Sequence, residues 1–172
     1  MIRYPVTKLL LAEAQVIADR IPSSINNSIR SGEGRLTGAV GEAIFLRVTG
    51  GKSSGNDWAN YDVLWNNIKY DAKSKECTSP PQPHYFASIA KHNPNQKCDR
   101  YVFFRVMRRK GADYTQAWLM GWMGKEEFFD TAVYYNKGDV DPSSTFGWTF
   151  RESCWNVEYS KLHEFKLDVE FA

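Results

Sequence analysis

No hydrophobic run in the chain approaches the roughly 20 apolar residues that a membrane-crossing helix needs. The first residues, Met1-Ile2-Arg3-Tyr4-Pro5, lack the charged-then-apolar layout of a signal peptide. Cysteine is scarce. Cys77, Cys98 and Cys154 are odd in number and show no CxxC spacing, which argues against a disulfide framework and fits a reducing compartment. The expectation is therefore an intracellular, cytoplasmic protein. Cys77, His84, His92 and Cys98 fall in one segment, and closure around zinc is an alternative. Their spacings match no finger pattern. The chain also lacks internal repeats and low-complexity stretches.

Net charge is small, +2 in all, but it is unevenly spread. Residues 1–110 hold 17 Lys+Arg against 9 Asp+Glu, a net of +8; residues 111–172 hold 5 against 11, a net of −6. A basic N-terminal portion suits a polyanionic partner such as nucleic acid, although a solvated basic surface gives the same count. The 172 residues are enough for one domain, 1–172, with a sizeable core. Aromatics make up 15%, six of them Trp, so large flat side chains carry much of the packing.

The apolar spacing of Leu9, Leu10, Ala14 and Ile17 predicts a helix over 6–20, ending before Pro22. Residues 23–34, rich in Ser, Asn and Gly, read as a loop. A second helix is expected over 36–48, with Leu36, Val40, Ala43, Ile44 and Arg47 on one side. Gly38 and Gly41 are poor helix formers, costing roughly 1 kcal/mol each relative to Ala. They imply close approach of a backbone, a ligand or an ion, with space beside Glu42. Residues 49–60 read as a loop. The Pro-punctuated stretch 77–97 carries a short helix near 85–91. Strands are expected over 101–108 and 115–123, joined by the basic turn Arg108-Arg109-Lys110-Gly111, then a helix over 125–133. One or two short strands fall near 155–159.

The most informative stretch is Tyr61-Asp62-Val63-Leu64-Trp65-Asn66-Asn67-Ile68-Lys69-Tyr70-Asp71-Ala72-Lys73. Two alternating runs flank Asn66-Asn67, and Asn tolerates the positive φ that a type I′ turn requires at both central positions. A two-residue turn sets Trp65 against Ile68, Leu64 against Lys69, Val63 against Tyr70 and Asp62 against Asp71. One face carries Tyr61, Val63, Trp65, Ile68, Tyr70 and Ala72; the other carries Asp62, Leu64, Lys69, Asp71 and Lys73. Opposed carboxylates about 4.5–5.5 Å apart at Cβ repel one another. A divalent cation compensates, since hard cations prefer carboxylate oxygens. Alone, the hairpin is equally a solvent-facing strand pair, with Asp62 and Lys73 paired diagonally for under about 1 kcal/mol.

Together with the helix bearing Gly41-Glu42, this order of residues resembles the PD-(D/E)XK nuclease superfamily. That family has an acidic residue on a helix, an Asp near a strand end, then (Asp or Glu)-x-Lys on the next strand. The resemblance covers about 36–133. An Asp/Glu-x-Lys tripeptide arises about once by chance in a chain this long, and Glu164-Phe165-Lys166 is another copy; the weight lies on the constellation. Tyr61 stands where the family name has Pro, and Asp71 where Glu is commoner.

The resemblance implies an α/β (α+β) fold, a restriction-endonuclease-like mixed central sheet flanked by helices. It implies a metal-dependent DNA endonuclease that hydrolyses phosphodiester bonds with Mg²⁺ or Mn²⁺. Its catalytic residues would be Glu42, Asp62, Asp71 and Lys73. The ion would be held by Asp62, Asp71 and the Ala72 carbonyl, with Glu42 completing the shell. Lys73 would orient the attacking water or stabilise charge growing on the phosphate; two adjacent carboxylates favour its charged form, which argues against a general base, although bound metal would offset this. Arg30, Arg35, Lys75, Arg108, Arg109 and Lys110 are candidate phosphate contacts, with Arg105 nearby. Trp58 and Tyr85 are candidate stacking residues, though core packing is the commoner role. A homodimer is compatible with the family. Alternatives are an exonuclease or RNA-directed enzyme of the same fold, and a non-catalytic nucleic-acid- or protein-binding module.

Overall fold

In a computed structural model the described residues are 1–20, 34–57, 59–91, 95–108, 113–144 and 146–166. Their elements are β1 (Ile2–Pro5), α1 (Lys8–Arg20), α2 (Arg35–Thr49), β2 (Lys52–Ser53), β3 (Val63–Trp65), β4 (Ile68–Cys77), β5 (Phe86–Ala90), β6 (Arg100–Arg108), β7 (Tyr114–Gly124), α3 (Lys125–Thr131), β8 (Val133–Tyr135) and β9 (Cys154–Glu158). The fold is α+β. A six-stranded mixed sheet has the order β1-β7-β6-β4-β3-β2, and a three-stranded sheet the order β5-β9-β8. No helix among the described residues is long and apolar enough to cross a membrane.

The turn between β3 and β4 is the one the sequence dictates. Asn66 and Asn67 adopt φ of 49° and 61°, and the register pairs Val63 with Tyr70, Leu64 with Lys69 and Trp65 with Ile68. The long strand β4 then runs parallel to β6, placing Asp71 beside Tyr101, Lys73 beside Phe103 and Lys75 beside Arg105. Antiparallel β7 follows β6, and β1 closes the far edge.

Each face of the large sheet is covered. On one side α1 and α2 bury Leu10, Ala14, Ile17, Val40, Ile44 and Phe45 against Val63, Tyr70, Val102 and Phe104. Helix α2 is buried on nearly every side from Ala39 to Phe45. Gly41 is the point of closest approach: a Cβ there would lie 2.1 Å from Ser74 Oγ and 3.0 Å from the Phe104 ring. Gly38 meets nothing within 4 Å, so it leaves open space, as its place before Glu42 suggested. On the other side Tyr101, Phe103, Trp118 and Met123 pack with Phe128 of α3 and with Ala87, Ile89 and Val157 of the small sheet.

Three expectations differ from the structure. The short helix expected near 85–91 is strand β5, paired along its whole length with β9. Arg47 does not pack inward; it is exposed and bonded to Glu13 at 2.6 Å across α1 and α2. The loop over 49–60 contains β2 and a 3₁₀ turn at Gly55–Asp57. Beyond these, the acidic C-terminal portion helps to finish the core: Phe165 is buried against Phe45, Trp65 and Tyr70, and His163 exchanges backbone bonds with Trp122.

Candidate active site

Regular pairing in the hairpin stops at Val63. The Asp62 amide donates to the Tyr70 carbonyl at 2.8 Å, so Asp62 sits outside the ladder rather than squarely opposite Asp71. Its carboxylate crosses the hairpin instead, and Oδ2 accepts a hydrogen bond from the Ala72 amide at 2.7 Å. This still brings the two Asp side chains together. Burial pushes the Asp62 carboxyl well above its usual value, and the charges of Asp71 and Glu42 push it further, with only Lys73 opposing.

Asp71 is 2% exposed. Its Oδ2 lies 2.7 Å from Lys73 Nζ, yet has no aligned hydrogen-bond donor. The contact is thus an ion pair with an acceptor left over, an uncommon state for a buried oxygen. Lys73 Nζ also donates to Gln96 Oε1 at 2.9 Å. The segment carrying Gln96 is pinned on three sides. Asp99 exchanges bonds with the Lys69 backbone at 2.8 Å, the Lys125 amide donates to the Asp99 carbonyl, and Lys125 Nζ donates to the Gln96 carbonyl. Sequence reasoning missed Gln96 and Lys125, because they lie on a loop and at the start of α3 with no motif around them.

Glu42 enters from α2, buried at 8% exposure. Burial raises its pKa to about 7; the charge of Asp71 adds to this, while Arg20 and Ser53 pull the other way. A carboxyl titrating there both takes up and releases a proton at neutral pH. Asp62, Asp71 and Lys73 are therefore grouped at the hairpin, and Glu42 lies near enough for its charge to act on Asp62 and to feel that of Asp71. Lys75 lies two residues beyond Lys73 on the same face of β4. Arg35 begins α2. Arg108 stands seven residues past Tyr101 on β6, about 23 Å along the strand, over the Tyr114 ring. Arg30, Arg109, Lys110 and Trp58 lie outside the described residues.

Among the described residues no three His, Cys, Asp or Glu side chains are gathered closely enough to hold one ion. That includes Cys77, His84 and Cys98 of the zinc alternative; His92 lies outside the described residues. It also means that Glu42, Asp62 and Asp71 do not form a finished cage. The donor set nonetheless fits a hard divalent cation. The charge of Asp71 disfavours ionisation of both Glu42 and Asp62, Asp71 Oδ2 has an ion pair but no aligned hydrogen bond, and magnesium keeps several waters, so it needs few protein ligands.

No protein-family model matches the chain, and no curated protein matches it.

Proposed function

We propose that the chain is a metal-dependent nuclease that hydrolyses phosphodiester bonds in DNA. The observation that carries this reading is the grouping of two Asp carboxyls with a half-buried Lys at one hairpin, Asp71 Oδ2 being ion-paired to Lys73 at 2.7 Å with no aligned hydrogen bond. Asp62, Asp71 and the Ala72 carbonyl would hold Mg²⁺ or Mn²⁺, with Glu42 completing the shell directly or through water. When bound, such an ion polarises a phosphate oxygen and lowers the pKa of a coordinated water.

The chain's own residues supply the rest. Lys73, anchored by Asp71 and Gln96, presents its ammonium to charge growing on the phosphate. The Ala72 amide holds Asp62 in one orientation, so a ligand oxygen is placed before substrate arrives.

The test is incubation with plasmid, linear duplex, single strand and a four-way junction, each with Mg²⁺, Mn²⁺ or EDTA. Cleavage that EDTA abolishes supports the reading, and the substrate cut separates endonuclease from exonuclease action. Binding without cleavage in either metal overturns it in favour of a non-catalytic module. Cleavage of RNA alone corrects the substrate.

A further inference from the structure

Beyond Lys73 the same face of the sheet opens into a cleft of about 240 Å³. Lys75 of β4 stands at its mouth, beside Arg105 of β6 on its floor. Tyr85 forms one wall, and Asp141, Ser143, Ser144, Phe146 and Trp148 form the other. Arg105 is 7% exposed and held from behind. Its Nε donates to Tyr159 Oη at 2.6 Å, and its guanidinium lies over the Tyr159 and Tyr85 rings. Among the described residues neither Lys75 nor Arg105 has a carboxylate within ion-pair distance. Two adjacent cations repel, and an anion between them relieves that repulsion. Lys75 is open to solvent at the mouth, while the cleft walls partly desolvate it; its pKa falls to about 8, with Arg105 contributing and Asp141 opposing.

The rim is aromatic in an unusual way. Phe146 is 86% exposed and Trp148 64% exposed, although such side chains are ordinarily buried. Their backbone is nevertheless well fixed. Ser144 Oγ accepts from the Phe146 and Trp148 amides, and the Asp141 amide donates to the Trp148 carbonyl at 2.7 Å. Asp141 spends its carboxylate on Ser143, so it caps the loop more than it neutralises the floor.

We infer that this cleft takes an unpaired nucleotide of the substrate, its base stacked on Trp148 and its phosphate held by Lys75 and Arg105. Flat aromatic faces beside a cationic track are what single-stranded nucleic acid needs, because every base has a stacking face. Lys75 lies four residues past Asp71, about 13 Å along the strand. The cleft thus lies within a few nucleotides of Asp71 on the same face of the sheet. The inference rests on the nuclease reading and narrows it to substrates with single-stranded character next to the cleaved bond.

The test measures binding in EDTA, where no cleavage intervenes, by anisotropy of a labelled single strand, a blunt duplex and a duplex with a single-stranded tail. The whole protein is expected to prefer the tailed and single-stranded probes. Trp148→Ala is expected to weaken them about tenfold and to remove the preference, while Trp148→Phe retains most of it. Lys75→Ala is expected to weaken all probes and to lower the slope of log affinity against log salt by about one. Equal affinity for all three probes, or no effect of Trp148→Ala, overturns the inference even where metal-dependent cleavage is found. Preference without cleavage in any metal supports the cleft and overturns the nuclease reading instead.

Discussion

Asp62 Oδ2 and the backbone amide of Ala72 are 2.7 Å apart, and this bond ties the end of β3 to the middle of β4. It replaces a ladder bond with a side-chain bond, so the carboxylate is fixed beside Asp71 rather than free to turn into solvent. The cost is a pair of carboxyls in a crowded site, a strain that protonation of Asp62 or added positive charge relieves. Lys73 supplies part of it at 2.7 Å.

From this follows the first prediction. Asp71→Asn and Lys73→Ala each lower magnesium-dependent cleavage at least about a hundredfold, while each protein still unfolds in one cooperative thermal transition. Cleavage assays beside calorimetry on the purified variants check it. Full activity in either one removes the assignment.

The second prediction concerns pH in the absence of metal. Glu42 titrates near 7 when folded, against 4.5 as its ordinary value. The folded state thus binds a proton more tightly than the unfolded one. The resulting stability is fully present below about pH 4.5 and is lost as pH rises through about 7. The span corresponds to a loss on the order of 3 kcal/mol, and Asp62, raised in the same direction, acts with the same sign. Denaturation in EDTA should show stability falling over that window. Glu42→Gln should flatten the curve. A rise in stability across it contradicts the shift.

How much of this was legible in the sequence depends on where the determinants lie. The Asn66-Asn67 turn and the alternation around it are local, so the register from Val63 to Tyr70 could be read directly. The site residues follow from that register plus one helix. Strand β5 could not be read the same way. Its Ala87, Ser88 and Ala90 favour no strand, and only pairing with β9, some 70 residues on, makes them one. Strand β1 is equally dependent on β7, with Pro5 tolerated because it lies at the sheet edge. Phe165 and Gln96 reach their places through tertiary contacts with no periodic signal.

The two helical glycines give a third prediction with opposite signs on one helix. Gly38→Ala meets nothing within 4 Å and should stabilise by about 1 kcal/mol through helix propensity. Gly41→Ala drives a methyl group into Ser74 Oγ and the Phe104 ring, and should cost about 1–3 kcal/mol as overpacking. Urea denaturation of both variants decides it, and a stabilised Gly41→Ala shows that α2 stands farther from β4 and β6 than described.

The last prediction separates positioning from binding at Lys73. Gln96 Oε1 accepts from Lys73 Nζ at 2.9 Å, and Gln96 is held in turn by Lys125. Gln96→Ala leaves the charge of Lys73 intact but frees its terminal rotamers, and a misdirected ammonium stabilises the transition state less well than a fixed one. The expected result is a fall of about tenfold in kcat with KM nearly unchanged. Gln96→Glu, which keeps an oxygen at the same reach, should retain most of the activity, and both variants should melt within about 3 °C of the parent. An equal loss in the two variants, or a loss confined to KM, shows that Gln96 contacts substrate rather than aiming Lys73.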